Sequence, residues 1–212
     1  MIEVIEGEDI ITRGDVIDEM FKMRAQVFHN RLKWDVEVEY GREFDKFDDE
    51  NPVYLISFDE HTGVMQGSVR LLPTTGPNML RDVFYDLLEE DEVIESPFIW
   101  ESSRFSIDPN LGPDSRTSVN HVTAELLCGL VEIGLATGID HIVSVYDARM
   151  TRLFRRAKCD ADIVGGPMKF GKVPTYAGLF DITQERWNAI ASVVGITSSV
   201  INPTNTSSYN AA

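Results

Sequence analysis

The side chains best suited to chemistry in this chain are charged groups set among apolar ones. The clearest case is Trp100-Glu101-Ser102-Ser103-Arg104-Phe105-Ser106-Ile107-Asp108. Aromatic and β-branched residues at both ends, with turn signals at Ser96-Pro97 and Asp108-Pro109-Asn110, predict a strand. A carboxylate and a guanidinium inside a core strand are costly unless each finds a partner. Glu101 and Arg104 therefore either form a structural ion pair or line a cleft. Two more arginines stand in similar places. Arg24 lies on a helical stripe with Ile17, Met20, Phe21, Val27 and Phe28, and Arg70 sits inside the run Val69 to Leu72. Residues 33–50 supply the opposite charge, with Trp34, Tyr40, Phe44 and Phe47 interleaved among acids. Asp45 and Asp48 beside those rings offer a place for a small cation, held by carboxylates and π faces. An irregular acidic loop is the plainer reading of the same stretch.

The elements that must position these groups follow from periodicity and turn chemistry. Ile2 to Ile5 predicts a first strand, and the segment from Asp9 a helix. Val53 to Phe58 and Val64 to Leu72 predict a hairpin around His61-Thr62-Gly63. Met79 to Leu88 predicts a short helix, followed by the strand at 100–108. A long buried helix is expected over Val119 to Thr137, stopped by Gly138, with a loop at 110–118 whose helix start suits an anion. A strand at Ile139 to Tyr146, a helix at Ala148 to Lys158, short strands at 162–164, 168–170 and 173–181, and a helix at Thr183 to Val194 complete the order. This alternation predicts a single α/β (α+β) domain over 1–196, a mixed central sheet flanked by helices, with 197–212 as a weakly ordered tail.

Composition narrows the partners. The 212-residue chain has a net charge of −16, which repels nucleic acid and anionic membranes. No run of about 18 apolar residues occurs, so no stable membrane insertion is expected. Without a signal segment, and with only Cys128 and Cys159, a reducing cytoplasm fits. The four histidines show no ligand spacing, so no metal site is expected. One segment opposes the acidic background: Arg149, Arg152, Arg155, Arg156 and Lys158, with no acid between them. It is either a solvated helix face or a dock for an acidic protein.

Together these residues resemble the acyl-homoserine-lactone synthase (autoinducer synthase) family. Met23-Arg24-Ala25-Gln26-Val27-Phe28 with Trp34, then Glu43-Phe44-Asp45-Lys46-Phe47-Asp48, are similar to its first two blocks. The segment Gly67 to Leu80 with Phe84, and Trp100 to Phe105, are similar to the next two. The resemblance spans about 24–108 and thins beyond 110. It implies a fold similar to GNAT-type N-acetyltransferases. It implies S-adenosylmethionine as a substrate rather than a prosthetic group, and an acyl chain brought on acyl carrier protein. It implies that the amine of the first attacks the thioester of the second, and that lactonisation then expels methylthioadenosine. Within that picture Glu101 is the expected catalytic base. Arg24, Phe28, Trp34, Asp45, Asp48 and Arg104 would bind S-adenosylmethionine. Arg70, Phe84, Ser103 and Ser144 would line or brace the acyl pocket, and the basic helix would dock the carrier. An ordinary acyl-coenzyme A transferase is the alternative, but its Arg/Gln-x-x-Gly-x-Gly/Ala signature is missing from 108–118.

Strand geometry adds one requirement. Glu101 and Arg104 face opposite sides of a regular strand. If both serve one site, the strand must bulge or splay between them.

Overall fold

The computed structural model describes residues 1–90, 92–111, 119–170 and 173–203. In chain order the elements are strand β1 (Ile2–Ile5), helices α1 (Glu8–Thr12) and α2 (Gly14–Arg24), a π-helical turn (Ala25–Arg31), and strands β2 (Val38–Glu39) and β3 (Arg42–Glu43). A 3-10 turn (Lys46–Asp49), β4 (Val53–Phe58), β5 (Met65–Pro73), α3 (Met79–Asp82), a 3-10 turn (Tyr85–Leu87) and β6 (Ile99–Ile107) follow. The chain continues through α4 (His121–Thr137), β7 (His141–Asp147), α5 (Ala148–Arg156), β8 (Asp162–Phe170), β9 (Val173–Asp181) and α6 (Gln184–Val194).

Seven strands form one sheet in the order β1-β4-β5-β6-β7-β9-β8. Its neighbours are antiparallel except for the parallel pair β6 and β7. A parallel pair needs a crossover, and α4 is that connection. Asn120 caps α4 by accepting the Val122 N–H, and Gly138 ends it at φ 73°, where a side chain would be strained. The helix packs so closely on the sheet that a Cβ at Gly129 would lie 2.5 Å from the Ile2 side chain.

The sheet has two apolar faces. Val53, Leu55, Val69, Leu71 and Ile142 pack under α4 and α6. Tyr54 and Ile56, one residue out of step, point the other way and pack under α2 with Met20 and Phe28. The period-two alternation of β4 thus divides the core, and the second face is the one that receives Arg24 and Arg70.

Several expectations are corrected. The helix expected from Asp9 breaks at Arg13 and passes into a π-helical turn at Ala25. The helix expected at 79–88 is interrupted at Val83, whose ψ of −37° at φ −126° leaves the helical region. The short strands expected at 162–164 and 168–170 are one strand with register shifts. Within the tail expected from 197, Val200 and Ile201 are packed against the body of the domain. Ile201 bridges Ile2, Val200 and Ile201 are buried, and the Glu132 carboxylate accepts the Val200 and Ile201 N–H groups. The apolar pair Val200-Ile201 and a half-buried carboxylate acceptor outweigh the polar composition around them. The rest of that segment, and the loop expected to hold an anion at 112–118, lie outside the described residues.

Candidate active site

Three arginines and three carboxylates meet on the α2 face of the sheet and form a closed ring of alternating charge. Arg24 Nε donates to Glu43 Oε2 at 2.6 Å, and Glu43 Oε1 accepts from Arg104 Nε at 3.0 Å. Arg104 Nη2 reaches Asp45 Oδ2 at 2.6 Å, and Asp45 Oδ1 accepts from Arg70 Nη1 at 2.6 Å. The same Arg70 nitrogen donates to Asp48 Oδ1 at 2.8 Å, and Asp48 returns to Arg24 through a two-point contact at 2.8 and 3.0 Å. The Tyr54 hydroxyl also donates to Asp48, at 2.7 Å. Such buried charges are tolerated because each is paired and hydrogen-bonded.

Local structure brings these six residues together. The π-helical turn after Arg24 lets the chain present both Arg24 and Phe28 to the sheet; such turns recur at functional sites. Asp45 and Asp48 hold each other's backbone, since Asp45 Oδ1 accepts the Phe47 N–H and Asp48 Oδ2 accepts the Asp45 N–H. On β6 the register to β5 runs Arg70 to Ser103 and then Ser68 to Ser106, so two residues of β6 oppose one of β5. Arg104 occupies the bulge at φ 54°. This is uncommon for a side chain other than glycine, and such strain gathers at functional sites. The bulge turns Arg104 to the side of Glu101 and Ser103 while Phe105 returns to the α4 face, as the charged pattern of the strand required.

The ring is not uniformly buried. The side chains of Arg24, Glu43, Arg70 and Asp48 are 5% exposed or less, whereas Arg104 is 10% and Asp45 19% exposed. Burial would lower the affinity of Arg24 for its proton, but the charges of Asp48 and Glu43 outweigh this and raise it. Burial would raise the Asp48 carboxyl, yet the charge and hydrogen bond of Arg24, with Arg70, hold it well below the usual range. Arg104 differs. Burial dominates, Arg24 and Arg70 add repulsion, and its pKa is lowered despite Glu43 and Asp45. Arg104 is thus the cation least compensated by the protein, and it stands where solvent enters.

Around this opening, Phe28 and Trp34 stack at 5.2 Å and 15°. Arg104 lies 5.6 Å from the Phe28 centroid, and its Nη1 is 3.2 Å from Met79 Sδ. Glu101 is 1% exposed, and its two oxygens accept the backbone N–H groups of Met79 (2.9 Å) and Leu80 (2.6 Å). Burial pushes its pKa up to about 7, against those two N–H groups and the charges of Arg70 and Arg104. A carboxylate tuned this way can take a proton near neutral pH.

Beside Glu101 the sheet opens. The β6–β7 ladder runs from Ile99–His141 to Ser102–Ser144; beyond it β6 continues with β5 and β7 with β9. The wedge between the diverging strands begins at Ser103. Ser103 Oγ accepts from Arg70 Nε at 3.1 Å. Ser144 donates to the Ser102 carbonyl at 2.9 Å and sits on the α4 side with Ile142 and Tyr146. Phe84 lies apart, edge-on to Phe170 at 4.9 Å.

The structure therefore gathers Arg24, Phe28, Trp34, Asp45, Asp48, Arg70, Glu101, Ser103 and Arg104, while Ser144 stands on the other face of the sheet, bonded to the Ser102 carbonyl, and Phe84 follows α3, its N–H donating to the Met79 carbonyl. Asp48 and Arg24 are enclosed and engaged with ring partners. Glu43 was not among the expected site residues. The alternation Glu43-Phe44-Asp45, which points both acids to one side of an extended segment, was the signal for it. Arg149, Arg152, Arg155, Arg156 and Lys158 are all exposed on or just after α5, which starts at the end of β7 where the wedge opens. Arg149 is tied to Asp147 at 2.6 Å and Lys158 to Ser192 at 3.0 Å. No ion pair among the described residues engages Arg152, Arg155 or Arg156.

The family model described as autoinducer synthase matches residues 9–190. An acyl-homoserine-lactone synthase of Rhizobium etli is 37% identical over 187 residues, 87% of this chain and 86% of its own length. The solved structure of BjaI, a CoA-dependent acyl-homoserine lactone synthase with SAM and isopentyl-CoA, matches with a TM-score of 0.82 at 24% identity, covering 100% of this chain and 99% of that one. An N-acetyltransferase-like protein of Lactobacillus plantarum shares the fold at TM-score 0.56 and 13% identity, over 86% of this chain and 99% of its own. Among the described residues no helix is long and apolar enough to cross a membrane. With the match running through the charged ring, the bulged strand and α4, the chain belongs to the autoinducer synthase family, whose acyl-homoserine-lactone synthases are acyltransferases.

Proposed function

We propose that this enzyme makes an acyl-homoserine lactone from S-adenosylmethionine and an acyl group carried as a thioester on acyl carrier protein. The observation that carries the reading is the joint exposure of Arg104 and Asp45 under the Phe28–Trp34 stack, next to Glu101 and the strand wedge. Arg104 takes the carboxylate of the amino acid, and the aromatic stack faces the sulfonium. Arg24, Glu43, Arg70 and Asp48 hold Arg104 and Asp45 in place. The thioester lies in the wedge, where β6 and β7 leave backbone groups unshared.

The amine must be neutral to attack. Glu101 accepts its proton, directly or through a water, and the nitrogen adds to the thioester carbonyl. A backbone N–H freed at the Ser103–Arg104 bulge supports the oxyanion. Collapse releases the carrier thiol, which takes up the proton. The carboxylate oxygen of the acylated substrate then attacks its own γ-carbon, the carbon–sulfur bond breaks, and methylthioadenosine leaves with the bonding pair.

The donor is assigned to acyl carrier protein because Arg152, Arg155 and Arg156 form a basic face, without ion pairs among the described residues, at the wedge mouth of a chain whose net charge is −16. The test compares one acyl group on carrier protein and on coenzyme A. Carrier protein should be the better donor, and Arg152→Glu with Arg155→Glu should raise its KM by about tenfold and flatten the salt dependence. Equal use of both donors, with the reversal silent, would transfer the role to coenzyme A.

A further inference from the structure

The α4 face of the wedge contains a packing arrangement that the reaction itself does not require. On β9, Tyr176, Gly178 and Phe180 alternate on one side, leaving a gap between two aromatic residues. Tyr146 of β7 fills that gap. It contacts Tyr176 (centroids 6.3 Å apart) and Phe180 (6.1 Å), with the edge of Phe154 from α5 at 5.0 Å. Its ring can lie there only because residue 178 has no side chain. A Cβ at Gly178 would stand 2.6 Å from the Tyr146 hydroxyl and 2.8 Å from its Cε1, with Ala161 Cβ also at 2.8 Å. Tyr146 is the first α4-face residue of β7 past Ser144, where the pairing with β6 ends. Leaning over β9, it leaves the wedge side of β7 clear.

We infer that the Gly178–Tyr146 pair sets how long an acyl chain the wedge accepts. The inference rests on the proposed acyl transfer through the wedge. An acyl group held with its carbonyl toward Glu101 runs out through the opposite face. There it meets Tyr146 and the half-buried Phe105, Met150 and Leu153. Tyr176, Phe180 and Phe154 block the ring on three sides, so a side chain at 178 drives it back toward β6 and across this path. The pair is a specificity determinant, not a catalytic one, because neither residue reaches Glu101 or the charged ring.

The test uses the full chain with S-adenosylmethionine and a series of saturated acyl donors from butanoyl to dodecanoyl. Products are read by mass spectrometry and kcat/KM is measured for each chain. Gly178→Ala should lower the ratio of long-chain to short-chain kcat/KM by about tenfold or more. The KM for S-adenosylmethionine should not move. Tyr146→Leu, which removes the ring without touching Gly178, should raise the ratio, and it decides the matter if Gly178→Ala does not fold. A folded Gly178→Ala with the parent chain profile, or a Tyr146→Leu profile that is unchanged or shifted to shorter chains, overturns the inference. Absence of lactone from the parent enzyme with every donor would instead refute the proposed reaction.

Discussion

Glu43→Gln is the sharpest perturbation of the charged ring. Glu43 is 1% exposed and joins Arg24 to Arg104. Amide replacement leaves three guanidiniums against two carboxylates in a space that water does not reach. Breaking a buried pair this way costs about 3–5 kcal/mol. For a domain of this size about 1 kcal/mol corresponds to about 2–4 °C, so Tm should fall by about 6–20 °C. Asp45→Asn removes the same charge from the ring's exposed edge, where solvent screens the loss. Its stability cost should be about 1–2 kcal/mol, because Arg70 keeps its bond to Asp48 and Arg104 keeps its bond to Glu43. Its effect on turnover should exceed its effect on folding. Urea unfolding of both variants measures the contrast, with the midpoint shifting and the slope preserved. Combining Glu43→Gln with Arg104→Gln restores charge balance, so their costs should be less than additive by about 1 kcal/mol or more. A Glu43→Gln loss below about 1 kcal/mol, or an Asp45→Asn loss greater than it, would refute the reading of an enclosed brace with one open side.

Other outcomes follow from the same geometry. Glu101→Gln should reduce kcat by about 100- to 10,000-fold and abolish the acidic limb of kcat/KM, which in the parent should rise through about pH 7. The folded-state pKa of Glu101 is raised above its unfolded value of 4.5, so its protonated form stabilises the fold below that value, and the benefit is lost as pH rises through about 7. Ionisation of Glu101 should therefore cost about 3 kcal/mol above neutrality, and melting Glu101→Gln against the parent at pH 5 and pH 8 should show the variant gaining on the parent at the higher pH. Asp48 has the opposite sign: its pKa is held down, so its contribution is present above 3.8 and is lost as pH falls through its lower folded value. Asp48→Asn should be strongly destabilised at neutral pH, and acid titration should bring the two proteins together. Cys128 and Cys159 are buried and both pushed up to about 12 by burial, so neither should react with a thiol reagent until the protein unfolds.

The sequence made much of this legible because the informative residues violate local rules. A mixed-charge strand centre at Glu101 and Arg104, and arginines on apolar stripes at 24 and 70, can be read without a structure. The bulge could also be foreseen, since a strand with period two cannot otherwise turn Glu101 and Arg104 to one face. Glu43 was harder. It lies among many acids, and its alternation with Asp45 gains meaning only through contacts with Arg24 and Arg104, 19 and 61 positions away. The tie from Glu101 to the Met79 and Leu80 amides was equally hidden, because α3 is a single turn whose end gives little signal. The packing of Val200 and Ile201 depends on an acceptor from α4 that composition does not reveal. Likewise, the Tyr146 lean appears only once β7 and β9 are in register.

The most direct measurement incubates the purified chain with S-adenosylmethionine labelled in its homoserine carbons and with acyl carrier protein thioesters. Lactone and methylthioadenosine are then quantified by mass spectrometry. The account predicts that labelled acyl-homoserine lactone and methylthioadenosine form in equal amounts, and that both disappear in Glu101→Gln while that variant still folds. Methylthioadenosine without lactone, or full activity in folded Glu101→Gln, would contradict it.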